Sequence, residues 1–577
     1  MGRILKIVAI VVGILIVVVV AVPFLVPVNQ FRPTIEEKAS AALGRKVDVG
    51  NLSLSLLSGS VGADNLSIAD DPKISTSPFL SAKSVKVGVE IMPLIFSKTL
   101  NVTDIVIDSP QVTLIRSAAG QWNYSSFGGS AAKSEAKQAP AAARPASSSP
   151  STSTGEFSVQ KLELKNGRIS VGSTSTQKRS TYDNVGVVAS NVSLTSKFPV
   201  TVTADLPGGG NFKLDGTAGP VDQADADLTP LDAKLMVNSL NLTSTGFLDP
   251  SAGLGGLLDL NATVNSQNGE AATNGSAKLS KALLIAGGSP ASVPVTVDFN
   301  TKYNLAKNAG VLEPSLLKIG GAEAHLSGTY EIPAEGAILK IKVEAQNMPA
   351  KDLEAFLPAL GINLPKGASL QAGTLNANLD MTGPTNKMVT TGNVGLFGGK
   401  LAGFDLGSKL SAISALTGVK TGNDLVIEKL TSNVRMAPDG LKADNFDAVV
   451  PAVGSMVGGG TIDAKNQLDF KMAATLTDVI GQAASPVNTA GGLLGQVMGG
   501  AGGGGCKKGT TVPFQIKGTT SDPKFIPDVG GLAAGMLKSQ LGCVGGLAGS
   551  APGAKGIQPD ANNPLGQLGG LLKKKKP

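Results

Sequence analysis

Between Val159 and Val171 the chain reads VQKLELKNGRISV, an alternation that puts Leu162 and Leu164 on one side of an extended segment and Lys161, Glu163 and Lys165 on the other. The Asn166-Gly167 step inside it reads as the turn of a two-stranded hairpin. Segments of this kind recur along the chain, whereas amphipathic helices that could cover their apolar sides are few. A half-apolar sheet needs a partner, and the identity of that partner is the question the sequence poses.

The 577 residues are enough for several domains and a large core. With 73 Gly, 33 Pro and 16% charged residues, the chain breaks short runs of Val, Thr, Ser and Leu at turn residues, which is an all-β profile. Predicted strands include SVKVGVEI, NVTDIVIDSPQVTLI, LDAKLMVNSLNLTS, VPVTVDFNTKYNL and LKIKVEAQ. Helices are too sparse for alternating βαβ units, which excludes a doubly wound parallel fold. The clearest helix is RPTIEEKASAALGRKV. Pro33 suits its first turn, Glu36 and Glu37 its positive end and Gly44 its stop, and Ile35, Ala39, Ala42 and Leu43 form its apolar stripe. Helical inserts are predicted near 350–361 and at 405–418.

Ile7 to Val28 is a run of 22 uncharged residues that, as a helix, would reach roughly 33 Å and span a bilayer. Arg3 and Lys6 before it favour a cytoplasmic N-terminus. It reads as an uncleaved anchor, the competing reading being a cleaved secretory signal, and either one exports the rest of the chain. An exported compartment permits Cys506 and Cys543, with 36 residues between them, to pair. That disulfide is the expectation, worth about 4 kcal/mol in the chain-entropy picture; two free thiols are the alternative.

The net charge of +7 includes Lys573 to Lys576, and 7 less those 4 leaves only +3, so no nucleic-acid footprint is present. The terminal LLKKKKP reads either as a solvated run or as a contact for anionic headgroups. His325, the single histidine, has neither a GxSxG serine nor metal-ligand spacing around it and is expected to point outward. Trp122 in GQWNY reads as a buried anchor beside a turn, and Asp205, Asp225 and Asp227 as turn residues. The Gly-rich tract at 491–505 lacks the residues of a phosphate cradle. No catalytic, metal or cofactor residue is therefore expected.

In residues 130–154, 18 of 25 are Ala, Ser or Pro and no apolar period survives, so 129–155 reads as a linker or loop insertion. It separates a region at 29–128 from a longer β region at 156–480. A Gly-rich loop with final strands at 481–528 and a Lys-ended tail at 529–577 follow, the span 1–28 being the start and anchor.

The blocks IEEKASAALGRKVDVGNLSLSL, DDPKISTSPFLSAKSVKVGVEIMPLI and LNVTDIVIDSPQVTLIRSAAGQWNY, in that order behind an N-terminal anchor, resemble the bacterial AsmA family. LKNGRISV, LAGFDLGSKLSAIS, LVIEKLTSNVRMAPDGLKADNF and VPFQIKGTTSDPKFIPD look like its later blocks. The Ala/Ser/Pro insert and the Lys-rich tail depart from that pattern.

The resemblance implies a mainly β protein with a single-pass inner-membrane helix. Its periplasmic bulk would be a long twisted antiparallel sheet, with a few short helices, curled into an elongated groove. It further implies movement of phospholipid or another envelope lipid between the inner and outer membranes and support of outer-membrane assembly, with the outer membrane or its assembly proteins as partners. Leu162, Leu164, Ile169 and Val171 would then line the groove. Roughly 25 to 30 strands spaced about 4.8 Å apart would extend about 120–145 Å. The periodicity alone equally fits a closed sandwich. An assembly scaffold that carries no lipid is the alternative function, and an envelope hydrolase a more distant one.

Overall fold

The computed structural model describes residues 28–126, 158–404, 424–476 and 511–528, apart from short breaks at 56–58, 91–92, 94–100, 119–120, 176–177, 223–227, 249–252, 286 and 334–335. Among these residues 25 strands join in one sheet. The first six are β1 (Val47–Asp48), β2 (Leu52–Ser55), β3 (Ser60–Ala69), β4 (Pro78–Val89), β5 (Val102–Asp108) and β6 (Gln111–Arg116). Next come β7 (Ser158–Ser173), β8 (Arg179–Ser193), β9 (Phe198–Asp205), β10 (Asn211–Ala218), β11 (Leu231–Asn241) and β12 (Gly255–Gln267). They are followed by β13 (Glu270–Leu283), β14 (Val295–Asn304), β15 (Ala309–Ile319), β16 (Ala322–Glu331), β17 (Ile338–Pro349), β18 (Ser369–Pro384) and β19 (Val389–Ala402). The last are β20 (Leu425–Ala437), β21 (Gly440–Val450), β22 (Gly454–Asp463), β23 (Leu468–Leu476), β24 (Thr511–Thr519) and β25 (Asp522–Pro527).

From β7 onward each strand lies antiparallel to the next, as in a meander. The junction before β7 is different. β5 and β6 both run parallel to β7, in register from Val102 opposite Val159 to Arg116 opposite Ser173. The wholly antiparallel sheet expected from the sequence is therefore a mixed one. A parallel neighbour needs a crossover of a dozen residues or more, and residues 117–157 provide it. The Ala/Ser/Pro-rich stretch thus falls within a connection between adjacent rows of one sheet. Because β1 and β2 share a row beside β3, and β5 and β6 share another, the 25 strands fill 23 rows. At about 4.8 Å per step they extend about 105 Å along the hydrogen-bonding direction.

Val159–Val171 is likewise one strand and not the expected hairpin. β7 runs on through Asn166-Gly167, and its pairing with β8 slips between Leu164 and Gly167. Asn166 adopts a left-handed φ of 53°, which serves a bulge as well as a turn. A strand paired on both flanks cannot double back, and β7 is held by β5 and β6 on one side and β8 on the other. The extra residue reverses the alternation, so Leu162 and Leu164 before it share a face with Ile169 and Val171 after it. Asn65 in β3, Ser109 between β5 and β6, and Asn184 in β8 have φ of 53°, 50° and 49°. These left-handed residues line up across neighbouring strands, and the pairing slips beside two of them, Asn166 in β7 and Asn184 in β8.

One helix, α1 (Arg32–Leu43), closes the first end of the sheet. Pro33 lies in its first turn and Gly44, at φ 64°, ends it, as the sequence predicts. Ile35, Ala39 and Leu43 are buried, one helical turn apart; Ala42, expected in that stripe, is exposed because it lies about 100° around from Leu43. The Glu36 carboxylate accepts hydrogen bonds from Val49 N at 2.8 Å and Arg32 Nε at 2.9 Å, tying the helix to the strand that follows it. A second helix, α2 (Ala350–Glu354), and a 3-10 turn at Leu357–Leu360 occupy the predicted insert near 350–361. The insert predicted at 405–418 lies outside the described residues.

Three apolar cores lie along the sheet. The first packs α1 against β1–β7 around Phe79, Val85, Val87 and Val171; the second packs α2 against β13–β18; the third surrounds Phe404, Val450 and Phe514. The anchor expected over Ile7–Val28 lies outside the described residues except for Val28, which begins a short 3-10 turn. Among the described residues no helix is long and apolar enough to cross a membrane.

Near its far end the sheet coils back on itself. Lys366 N, three residues before β18, donates to Ser521 O in the turn between β24 and β25, seven strands away. Seven steps of about 20–25° of strand twist add up to roughly 140–175°. That rotation brings the turn end of the last hairpin round to the opposite end of β18.

Candidate functional site

Residues directly opposed across a ladder share a face, so the pairings trace a surface from strand to strand. Leu164 opposes Val187, which opposes Val202, then Leu214, Leu235 and Ala262. From Thr301 the row continues through Leu312, Gly328, Ile341, Met381, Thr390 and Met436. Apolar or small residues dominate both stretches. Apart from Ala262 and Thr390 they are half-buried, in contrast to the closed cores at Phe79 and Val171. The opposite face carries ion pairs such as Lys161–Glu163 at 3.0 Å, Lys302–Glu313 at 2.6 Å and Lys517–Asp469 at 2.6 Å. Exposed pairs of this kind are screened by solvent, add little to stability and mark the side that faces water.

At the coiled end this apolar face enters a cavity of about 240 Å³. Met381, Met436 and Ile462 belong to the sheet face, while Ile285 and Leu360 come from the segments after β13 and α2. Asn386, Asn466 and Thr520, from hairpin turns, line it as well.

The four residues predicted to line a groove share one face but differ in cover. Val171 is fully buried in the first core, and Leu162 and Ile169 are packed against that core. Leu164 is half-buried and continues into the cross-strand row. Val171→Ala should therefore cost about 2 kcal/mol, and Leu164→Ala less than about 1 kcal/mol; urea unfolding of the two variants checks the difference.

Trp122 is a buried anchor, stacked on Tyr124 at 5.9 Å and capped by Phe247 at 5.7 Å. Tyr182 completes this group; its hydroxyl donates to Thr245 O at 2.9 Å, and burial pushes its pKa up to about 12. Beside Trp122, Asn123 is fully buried and holds the buried Asp70, a pair that sequence reasoning did not single out. His325 is exposed on the charged face, opposite Glu344. Asp205 ends β9 and does not lie in a turn; it accepts from Asn184 Nδ2 at 2.6 Å. Asp225, Asp227, Cys506 and Cys543 lie outside the described residues.

The family model of AsmA matches residues 1–442. The chain belongs to the AsmA family. The match takes in β1 to β20 and ends within β21, so of the blocks that resemble the family only VPFQIKGTTSDPKFIPD lies wholly beyond it. No curated protein and no solved structure matches the chain. As an AsmA-family member with one large β-sheet, it fits an envelope protein.

Proposed function

We propose that this AsmA-family protein binds phospholipid, or another envelope lipid, along the apolar face of its sheet and conducts it between the inner and outer membranes, supporting outer-membrane assembly. The sheet is read as an elongated groove held in the periplasm by an inner-membrane helix over Ile7–Val28, with Arg3 and Lys6 on the cytoplasmic side. The observation that carries this reading is the half-exposed apolar row running from β7 across the sheet to the coiled end. Apolar surface left in water costs about 25 cal/mol per Å², and acyl chains laid along the row would remove that cost at every strand. On this reading the protein acts by binding alone and breaks no covalent bond.

The faces supply the test. Photo-crosslinkers at Leu164 or Leu235 should capture phospholipid in cells, and those at Glu163 or Lys234, one residue away on the charged face, should not. Equal capture from both faces, or none from either with the protein folded, would favour a scaffold that works through protein contacts.

A further inference from the structure

We propose that the cavity at the coiled end holds a single hydrocarbon chain of a phospholipid, tail inward, with the headgroup outside at a rim of hairpin turns. This deepens the lipid reading above and rests on it. Floor, roof and rim differ in chemistry. The floor is the continuation of the apolar sheet face at Met381, Met436 and Ile462, and the roof is Ile285 and Leu360. Polar side chains gather at the turns, at Asn386, Asn466 and Thr520.

Size and charge fix which part of a lipid fits. A volume of about 240 Å³ is several times a water's share of about 30 Å³. It is also below the roughly 300–1,000 Å³ of pockets that enclose a whole drug-sized ligand. Among the described lining residues Asp463 is the one with a charged side chain. Its Oδ1 already accepts from Lys465 N and Gln467 N, both at 2.8 Å, within its own turn. The described lining thus offers no cation to a phosphate, and an anionic headgroup drawn in among these residues would be buried unpaired at high cost. Unbranched methionines suit a chain that slides through many conformations.

The roof is tied down at its far side. After Leu360 the chain runs to Lys366, whose N–H reaches Ser521 O, and Thr520 N donates to Asn466 O at 3.2 Å. These backbone bonds join the segment over the cavity to the turns of the rim, so the chain end would be enclosed here while remaining open to the sheet face.

The test uses the full-length protein in cells fed phosphatidylethanolamine carrying a diazirine either at the acyl terminus or on the headgroup, with adducts mapped by mass spectrometry. The acyl probe should label Met381, Met436 or Ile462, and the headgroup probe the turns at Asn386 and Asn466 but not the floor. Met436→Trp, and separately Leu360→Trp from the roof, should cut acyl labelling of the cavity at least tenfold while labelling along β7–β12 persists. Acyl adducts on β7–β12 with none in the cavity, or headgroup adducts at Met436 as strong as acyl ones, would overturn the proposal and leave the lipid reading intact. No adduct anywhere would overturn both.

Discussion

Asn123→Ala should destabilise the first end of the sheet by about 3–5 kcal/mol, with the loss largest near neutral pH. Asn123 Nδ2 donates to Asp70 Oδ2 at 2.7 Å and to Thr113 O at 2.8 Å, and its Oδ1 accepts from Ile115 N at 3.0 Å. Alanine would leave two backbone groups and a carboxylate without this partner in a buried setting. Burial already holds the Asp70 carboxyl above its ordinary pKa, against the lowering effects of Asn123, Asp71 N and Arg45. A carboxylate raised in the folded state binds protons there at a pH where the unfolded chain does not. Its ionisation therefore costs stability above the raised pKa, and the cost is relieved as the pH falls through that pKa towards the ordinary value of 3.8. Without Asn123 the pKa rises further, so the deficit of the variant should shrink on acidification. Trp122, the chain's single tryptophan, is adjacent and reports opening of this end by fluorescence during urea titrations at several pH values. A deficit that is small, or that grows on acidification, would refute this account of the buried pair.

What the sequence made legible was set by local periodicity. Period-two alternation gave the strands, and Pro33, Gly44 and the Ile35–Ala39–Leu43 spacing gave α1. Features decided by distant partners were hidden. Asn166-Gly167 supports a left-handed backbone in a hairpin turn and in a bulge alike, and the choice is made by β5 and β6, which flank β7 from the other side of a long crossover. Trp122 was legible as an anchor, but Asn123 was not, because its carboxylate partner lies 53 residues earlier. Leu162 and Val171 have the same local pattern as Leu164, yet Val171 is buried in the first core and the half-buried Leu162 packs against that core, while the equally half-buried Leu164 continues into the cross-strand row. The cavity needs the summed twist of seven strands, which no single segment encodes.

Leu235→Asp should reduce lipid transfer more than tenfold while the sheet stays folded. Leu235 sits in mid-path on β11, opposite Leu214 and Ala262 and half-buried, with Lys234 beside it on the charged face. A carboxylate there retains partial access to water when the face is empty, so the cost to folding is modest; against acyl chains the same charge would be desolvated without a partner. A cost of more than about 1.4 kcal/mol at one step is enough for a tenfold loss, and in a path read in series one such step limits the whole. Lys234→Asp changes the charge by more, yet leaves the apolar face intact, and should transfer lipid at the normal rate. Comparing the two variants, with soluble expression and unfolding midpoints as controls, separates a conduit from a scaffold. A protein that works by surface contacts should lose function with Lys234→Asp at least as readily as with Leu235→Asp, because the charged face is the one it would present to a partner.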